Sequence, residues 1–157
     1  MFNLTSKKIC HAIVCGLFCL GLGMFSGYLS KAGHSVWYAN LPKPSFTPPK
    51  EAFAPVWTIL YLMIGVALSR LWLARHRNKI LLWLFAIQFI LNLAWSPIFF
   101  YFHNIGLALI DLFLIWMCLI AFVFFSFRDK VMFALFIPYL LWTSLALSLN
   151  CVIYFTK

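Results

Sequence analysis

Five stretches of roughly 20 predominantly apolar residues, separated by short polar breaks, take up almost the entire chain. A helix of that length crosses a hydrocarbon core of about 30 Å. Of the residues, 65% are hydrophobic and 10% are charged, whereas an ordinary soluble domain carries about 25% charged residues. A water-facing shell cannot be built from so few polar groups, so lipid must take the place of water. Inside lipid every backbone N–H and C=O has to be paired, and these segments are too long and too continuously apolar for alternating barrel strands. The sequence therefore predicts an all-α membrane protein, a single five-transmembrane-helix bundle covering residues 1–157.

The predicted spans are 9–30, 53–74, 80–102, 105–125 and 131–155. The first follows Lys7 and Lys8. It is longer than the apolar run of a signal peptide and lacks a clean small-x-small cleavage site, so a retained helix is expected. Gly23 and Gly27 in it form a G-x-x-x-G pair, better explained by close packing inside the bundle than by a dimer seam. Between the first two spans lies a proline-rich loop, 31–52, where Pro42, Pro44, Pro48 and Pro49 predict a stiff, partly extended connection across the bundle mouth. Pro55 suits the first turn of the second span, and Arg70 can snorkel to the interface. Pro97 predicts a kink in the third span, and Pro138 a bend in the fifth.

A formal charge of +9 would point to nucleic acid in a soluble protein, but the basic residues here sit at the ends of apolar segments. No nucleic acid is expected; lipid headgroups and topology account for the charge. Lys7, Lys8, Arg70, Arg75, Arg77, Lys79, Arg128 and Lys130 fall on one side, and Lys31, Lys43, Lys50 and Lys157 on the other. In a bacterial cell membrane this bias predicts a cytoplasmic N-terminus and an outward-facing first loop. The five cysteines have no metal-ligand spacing and read as reduced packing residues, and no metal site is expected.

No nucleophile–base pair, phosphate loop or metal motif is present, so conventional hydrolysis is not expected. What stands out is a set of polar and indole groups at membrane depth: Trp57, Tyr61, Gln88, Asn92, Trp95, Asp111, Tyr139, Trp142 and Asn150. Polar groups in hydrocarbon must face the bundle interior and find partners, which makes them site candidates. Asp111 reads as a structural polar residue joined to an indole or phenol donor. Trp37, Trp72 and Trp83 fit an interfacial belt, whereas Trp57 and Trp142 lie a turn or more inside their helices. Indoles converging beneath the loop would line an apolar aromatic cavity with a few amide donors, suited to a flat hydrophobic ligand. His11, His34, His76 and His103 lie near span ends and read as interfacial residues rather than haem ligands.

Several motifs are similar to those of the tryptophan-rich sensory protein and peripheral benzodiazepine receptor family, the translocator proteins. The strongest is Trp37-Tyr38-Ala39-Asn40-Leu41-Pro42-Lys43-Pro44, followed by Pro48-Pro49 and Phe53-Ala54-Pro55-Val56-Trp57-Thr58-Ile59-Leu60-Tyr61. Leu91-Asn92-Leu93-Ala94-Trp95-Ser96-Pro97-Ile98-Phe99-Phe100, Ala108-Leu109-Ile110-Asp111-Leu112 and Pro138-Tyr139-Leu140-Leu141-Trp142 follow in the family's order. The resemblance implies a five-helix fold, often a homodimer, with a ligand pocket under the first loop. It implies no obligatory cofactor and a porphyrin ligand, protoporphyrin IX or haem. Tyr38, Trp57, Asn92, Trp95, Trp142 and Ala146 match pocket-lining positions, and Tyr61 belongs to the same set.

The leading expectation is thus a membrane receptor or carrier for tetrapyrroles with a sensory or stress-regulatory role. Two alternatives stand beside it: light- and oxygen-dependent porphyrin degradation with Trp57 and Trp142 as the catalytic groups, and a regulatory interaction protein that needs no ligand. No internal repeat or pair of broken helices suggests alternating access. Two departures from the family pattern matter. Glu51 stands where a tryptophan often follows the Pro-Pro pair, and Cys151 replaces the tyrosine of the cholesterol motif, so cholesterol binding is not expected.

Overall fold

In the computed structural model, residues 4–30, 37–74 and 79–157 are described. The expectations placed on Lys31, His34, Arg75, His76 and Arg77 lie outside them. Five helices follow one another: α1 (Leu4–Ser30), α2 (Lys50–Leu73), α3 (Lys79–Ser96), α4 (Ile105–Ser126) and α5 (Lys130–Thr156). A 3₁₀ turn, Tyr38–Asn40, lies in the first connection. All five helices are long and apolar enough to cross a membrane.

The start of α2 changes the place of a proline. Extended Pro49 (φ −60°, ψ 144°) precedes α2, which starts at Lys50. Pro55 therefore sits inside the helix rather than in its first turn, where its ring forfeits one hydrogen bond near the exposed end. Pro97 does alter the helix it follows. The α3 axis continues as a π-helical turn, Pro97–Tyr101, closed by Phe102 N–H donating to Pro97 O at 3.0 Å. By contrast α5 runs through Pro138 as one helix.

Burial is inverted relative to a soluble protein. Phe18, Trp83, Ile90, Phe124 and Leu141 are exposed, while Gln88, Asn92, Asp111, Thr143 and Asn150 are buried. This is the arrangement lipid demands, with apolar side chains outward and polar groups inside. Helix α2 packs against α1, α3 against α4, and α4 against α5; contacts of α2 with α5 and of α1 with α3 close a ring in the order α1–α2–α5–α4–α3.

Small residues set two of these distances. A Cβ placed on Gly65 would lie 2.3 Å from Gly16 Cα and 2.5 Å from Cys15 O, so the α1 and α2 backbones touch there. A Cβ on Gly23 would lie 2.2 Å from the Tyr61 ring, whereas Gly27 faces open space. The first glycine of the pair thus serves packing within the bundle, and the second makes no such contact.

The tight connections are capped by short polar side chains. Asn104 Oδ1 accepts from Leu107 N at the start of α4, and Asp129 Oδ1 accepts from Val131 N and Met132 N at the start of α5. His103 takes the left-handed backbone conformation (φ 53°), which reverses the chain between the π-helical turn and α4.

Candidate functional site

A chain of hydrogen bonds crosses the centre of the ring. Tyr61 Oη of α2 donates to Asn92 Oδ1 of α3 at 2.6 Å. Asn92 Nδ2 donates to Tyr139 Oη of α5 at 2.7 Å, and Tyr139 Oη donates to Gln88 Oε1 at 3.0 Å. All four side chains are buried. At this depth an unpaired hydroxyl or amide costs several kcal/mol, so each group holds the rotamer of the next. Sequence reasoning singled out these four residues but not their connectivity. Tyr139 and Trp142, three residues apart on α5, have different surroundings.

Aromatic rings surround the network. Trp57 lies 5.5 Å from Tyr61 and 6.4 Å from Tyr139, ring centre to ring centre. Trp142 meets Phe53 edge-on at 5.6 Å. Trp142 also lines an apolar groove of about 420 Å³ between α2 and α5, with Val56, Ile59, Leu60, Met63, Pro138, Leu141 and Leu145. Trp57, Trp95, Trp142 and Ala146 all pack against the main core as half-buried residues, so four expected pocket positions border one cluster.

Tyr38 belongs to a second, outer cluster. Trp95 stacks on Phe99 at 5.2 Å, and Tyr38 meets Phe100 and Phe99 edge-on at 5.4 and 6.1 Å. Burial raises the Tyr38 phenol above its ordinary range. Lys43 Nζ lies 4.6 Å from the Tyr38 ring centre and donates to Ala39 O and Leu41 O, which ties the proline-rich segment over the aromatic cluster. Trp95 thus connects the two groups: it packs on the main core and stacks beneath the residues that Tyr38 covers.

Three expectations need correction. Trp37 is not a simple belt residue: it stacks on His103 at 4.2 Å and meets Phe99 edge-on, so it anchors the first connection to the α3–α4 turn. His11 is not left to the interface, because its Nδ1 lies 2.8 Å from Ser69 Oγ between α1 and α2. Asp111 is buried as expected, but its Oδ2 has no indole or phenol partner among the described residues. Trp72 and Trp83 are exposed.

Phe53, Phe99 and Phe100 stand in the sequence motifs, but the sequence reading gave them no site role. Each is one phenylalanine among 18, and only spatial proximity to Trp142, Trp95 and Tyr38 distinguishes them.

The comparisons with known proteins agree with this architecture. The family model described as the TspO/MBR family matches residues 15–155. The tryptophan-rich protein TspO of Chlorobaculum tepidum is 36% identical over 94% of this chain and 96% of its own length. The tryptophan-rich sensory protein of Cereibacter sphaeroides is 33% identical over 73% of this chain and 72% of its own. The human translocator protein is 37% identical, covering 83% and 82%. Five membrane-crossing helices, the order of the aromatic and amide motifs, and these matches together make the chain a multi-pass integral membrane protein of the TspO/MBR family.

Proposed function

We propose that the chain binds a tetrapyrrole such as protoporphyrin IX among its helices and serves as a membrane receptor or carrier for it. The observation that carries this reading is the pairing of Tyr61 and Tyr139 with one buried amide, Asn92, beneath the Trp57 ring, with Trp95 and Trp142 packed against the same core. A planar aromatic ligand gains most from indole and phenol faces, while an amide orients its polar atoms. The apolar groove at Trp142 offers a flat hydrophobic molecule a path from the lipid phase. Tyr38 and the proline-rich segment close the outer end of the site. The chain sits in a bacterial cell membrane with its N-terminus in the cytoplasm, the side that Arg70, Lys79, Arg128 and Lys130 share.

The test is a titration of the detergent-solubilised protein with protoporphyrin IX in darkness, following tryptophan fluorescence corrected for absorption by the ligand. Saturable quenching in the wild type, weakened in a Trp57→Phe, Trp142→Phe variant, supports the reading. Absence of saturable quenching in folded wild-type protein removes porphyrin as the ligand. Illuminating the loaded protein then tests the catalytic alternative: light-dependent loss of porphyrin that disappears in the variant would make these two indoles reactive groups rather than a binding surface.

A further inference from the structure

Four buried polar atoms outside the central network have no hydrogen-bond partner among the described residues: Trp95 Nε1, Asp111 Oδ2, and Asn150 Nδ2 and Oδ1. They belong to α3, α4 and α5, and their positions converge. Helices α4 and α5 are antiparallel, with Phe122 stacked on Phe136 at 3.8 Å, Trp116 Nε1 donating to Ser144 Oγ at 2.9 Å, and Ile105 in one cluster with Ile153. That register sets Asp111 and Asn150 level to within a helical turn. Both are on inner faces, with 6% and 2% of their surface exposed. Asp111 lies one turn from Ala108, Asn150 one turn from Ile153, and Trp95 one turn from Phe99, always on the side toward the membrane centre. An acid, an amide and an indole N–H therefore border the same cluster of Phe99, Ile105, Ala108 and Ile153.

Charge decides what such a site takes. A carboxylate buried in apolar surroundings costs several kcal/mol unless a cation accompanies it. The titratable groups that the neighbouring elements carry at this end of α4, among the described residues, are Tyr139, Cys151, Tyr154 and Lys157 of α5, Tyr101 of the π-helical turn, His103 of the following turn and Tyr38 of the first connection; Cys118 lies on α4 itself. The cationic side chain in this set, Lys157, is exposed two turns beyond Asn150 and lies over the Trp37 ring, 5.9 Å from its centre. His103 is exposed and stacks on the same ring. Arg70, Arg128 and Lys130 belong to the opposite end of the bundle, where Arg70 pairs with Asp129.

We propose that Asp111, Asn150 and Trp95 form a buried site for a monovalent cation, and that the cation is a proton held on the Asp111 carboxyl at neutral pH. The step is one proton from water on the outer side adding to a carboxylate oxygen, with no other reactant. The neutral acid donates to Asn150 Oδ1, and its carbonyl oxygen, with two lone pairs, accepts from both Asn150 Nδ2 and Trp95 Nε1, so each of the four atoms gains a partner. The loaded site presents donors and acceptors without net charge one turn beyond Ala146, at the outer end of the aromatic cluster. This inference does not depend on the identity of the ligand bound near Trp142.

The chain suits a direct test because it has only three carboxyl side chains, Glu51, Asp111 and Asp129. The measurement is the infrared carbonyl stretch of protonated carboxylic acid, recorded at neutral pH on full-length protein in lipid nanodiscs and repeated in heavy water. An ordinary aspartate, with a pKa of about 3.9, gives essentially no such band at pH 7. The proposal expects a deuterium-sensitive band that is lost completely in Asp111→Asn and kept in Asp129→Asn and Glu51→Gln. Asn150→Leu should move the band toward a free, less hydrogen-bonded acid. No band in the wild type overturns the proposal, a reading that needs no variant to fold. A band that survives in folded Asp111→Asn overturns it too, and one that vanishes when sodium replaces choline at constant pH assigns the site to a metal cation instead.

Discussion

The Tyr61 ring occupies the space that a side chain at Gly23 would need, since a Cβ built there would lie 2.2 Å from Tyr61 Cε2. Tyr61 is also the residue that hands its hydroxyl proton to Asn92. A glycine of α1 thereby holds the first link of the central network in place. In Gly23→Ala the ring must swing away, weakening its hydrogen bond to Asn92, with a destabilisation of about 1–3 kcal/mol expected from overpacking. Gly27→Ala, which meets open space, should be close to neutral. Thermal unfolding of both variants in detergent checks the pair, and equal melting temperatures would contradict the packing described.

At Gly65 the obstacle is backbone rather than a movable ring. Gly16 Cα, Cys15 O and Gly16 N all lie within 2.6 Å of where a Cβ would stand. Gly65→Ala should push α1 off α2 and destabilise the bundle more than Gly23→Ala does. Accessibility of a cysteine label at Cys15 or Cys19, both at or near this crossing, should rise in the variant; unchanged labelling together with unchanged stability would argue against a close crossing.

Asn92 serves two tyrosines at once, accepting from Tyr61 and donating to Tyr139. Asn92→Leu strands the Tyr61 hydroxyl in an apolar interior, at about 1–3 kcal/mol, while Tyr139 keeps its bond to Gln88. A double-mutant cycle with Tyr61→Phe isolates the direct link. The two effects are expected to be clearly non-additive, because removing Tyr61 Oη first also removes the group that Asn92→Leu would strand. Additive effects would mean that the two side chains do not share a hydrogen bond.

At the opposite end Arg70 Nη2 lies 3.1 Å from Asp129 Oδ2, with both side chains about two-fifths exposed. Exposure limits the ion pair to well under about 1 kcal/mol. Asp129 additionally caps α5, so Asp129→Ala should cost more than Arg70→Ala, by about 1 kcal/mol. Burial alone would raise the Asp129 carboxyl, but the Met132 amide, the Arg70 hydrogen bond and charge, and the Val131 amide together hold it below the usual range. A depressed folded value means that this contribution is present above the ordinary carboxylate value of about 3.9 and is lost as pH falls through the folded value. Acid unfolding of wild type and Asp129→Asn should therefore converge at low pH, and added salt should weaken the Arg70 part alone.

Chain order and length of the five helices, and the inward placement of Gln88, Asn92, Asp111, Tyr139 and Asn150, were legible in the sequence, because bilayer thickness sets helix length and hydrocarbon penalises exposed polar groups residue by residue. The family motifs located the aromatic positions Tyr38, Trp57, Trp95 and Trp142. Pairing was not legible. Helices that are apolar nearly all round carry no stripe announcing which face meets which neighbour, so the ring order and the links from Tyr61 through Asn92 to Tyr139 and Gln88 emerge only from non-local packing. The same holds for Trp37 on His103, for Trp142 in the α2–α5 groove, and for the convergence of Asp111 with Asn150. Each depends on how two elements approach one another, as α1 and α2 do at Gly16 and Gly65, a property of two segments together that no single one encodes.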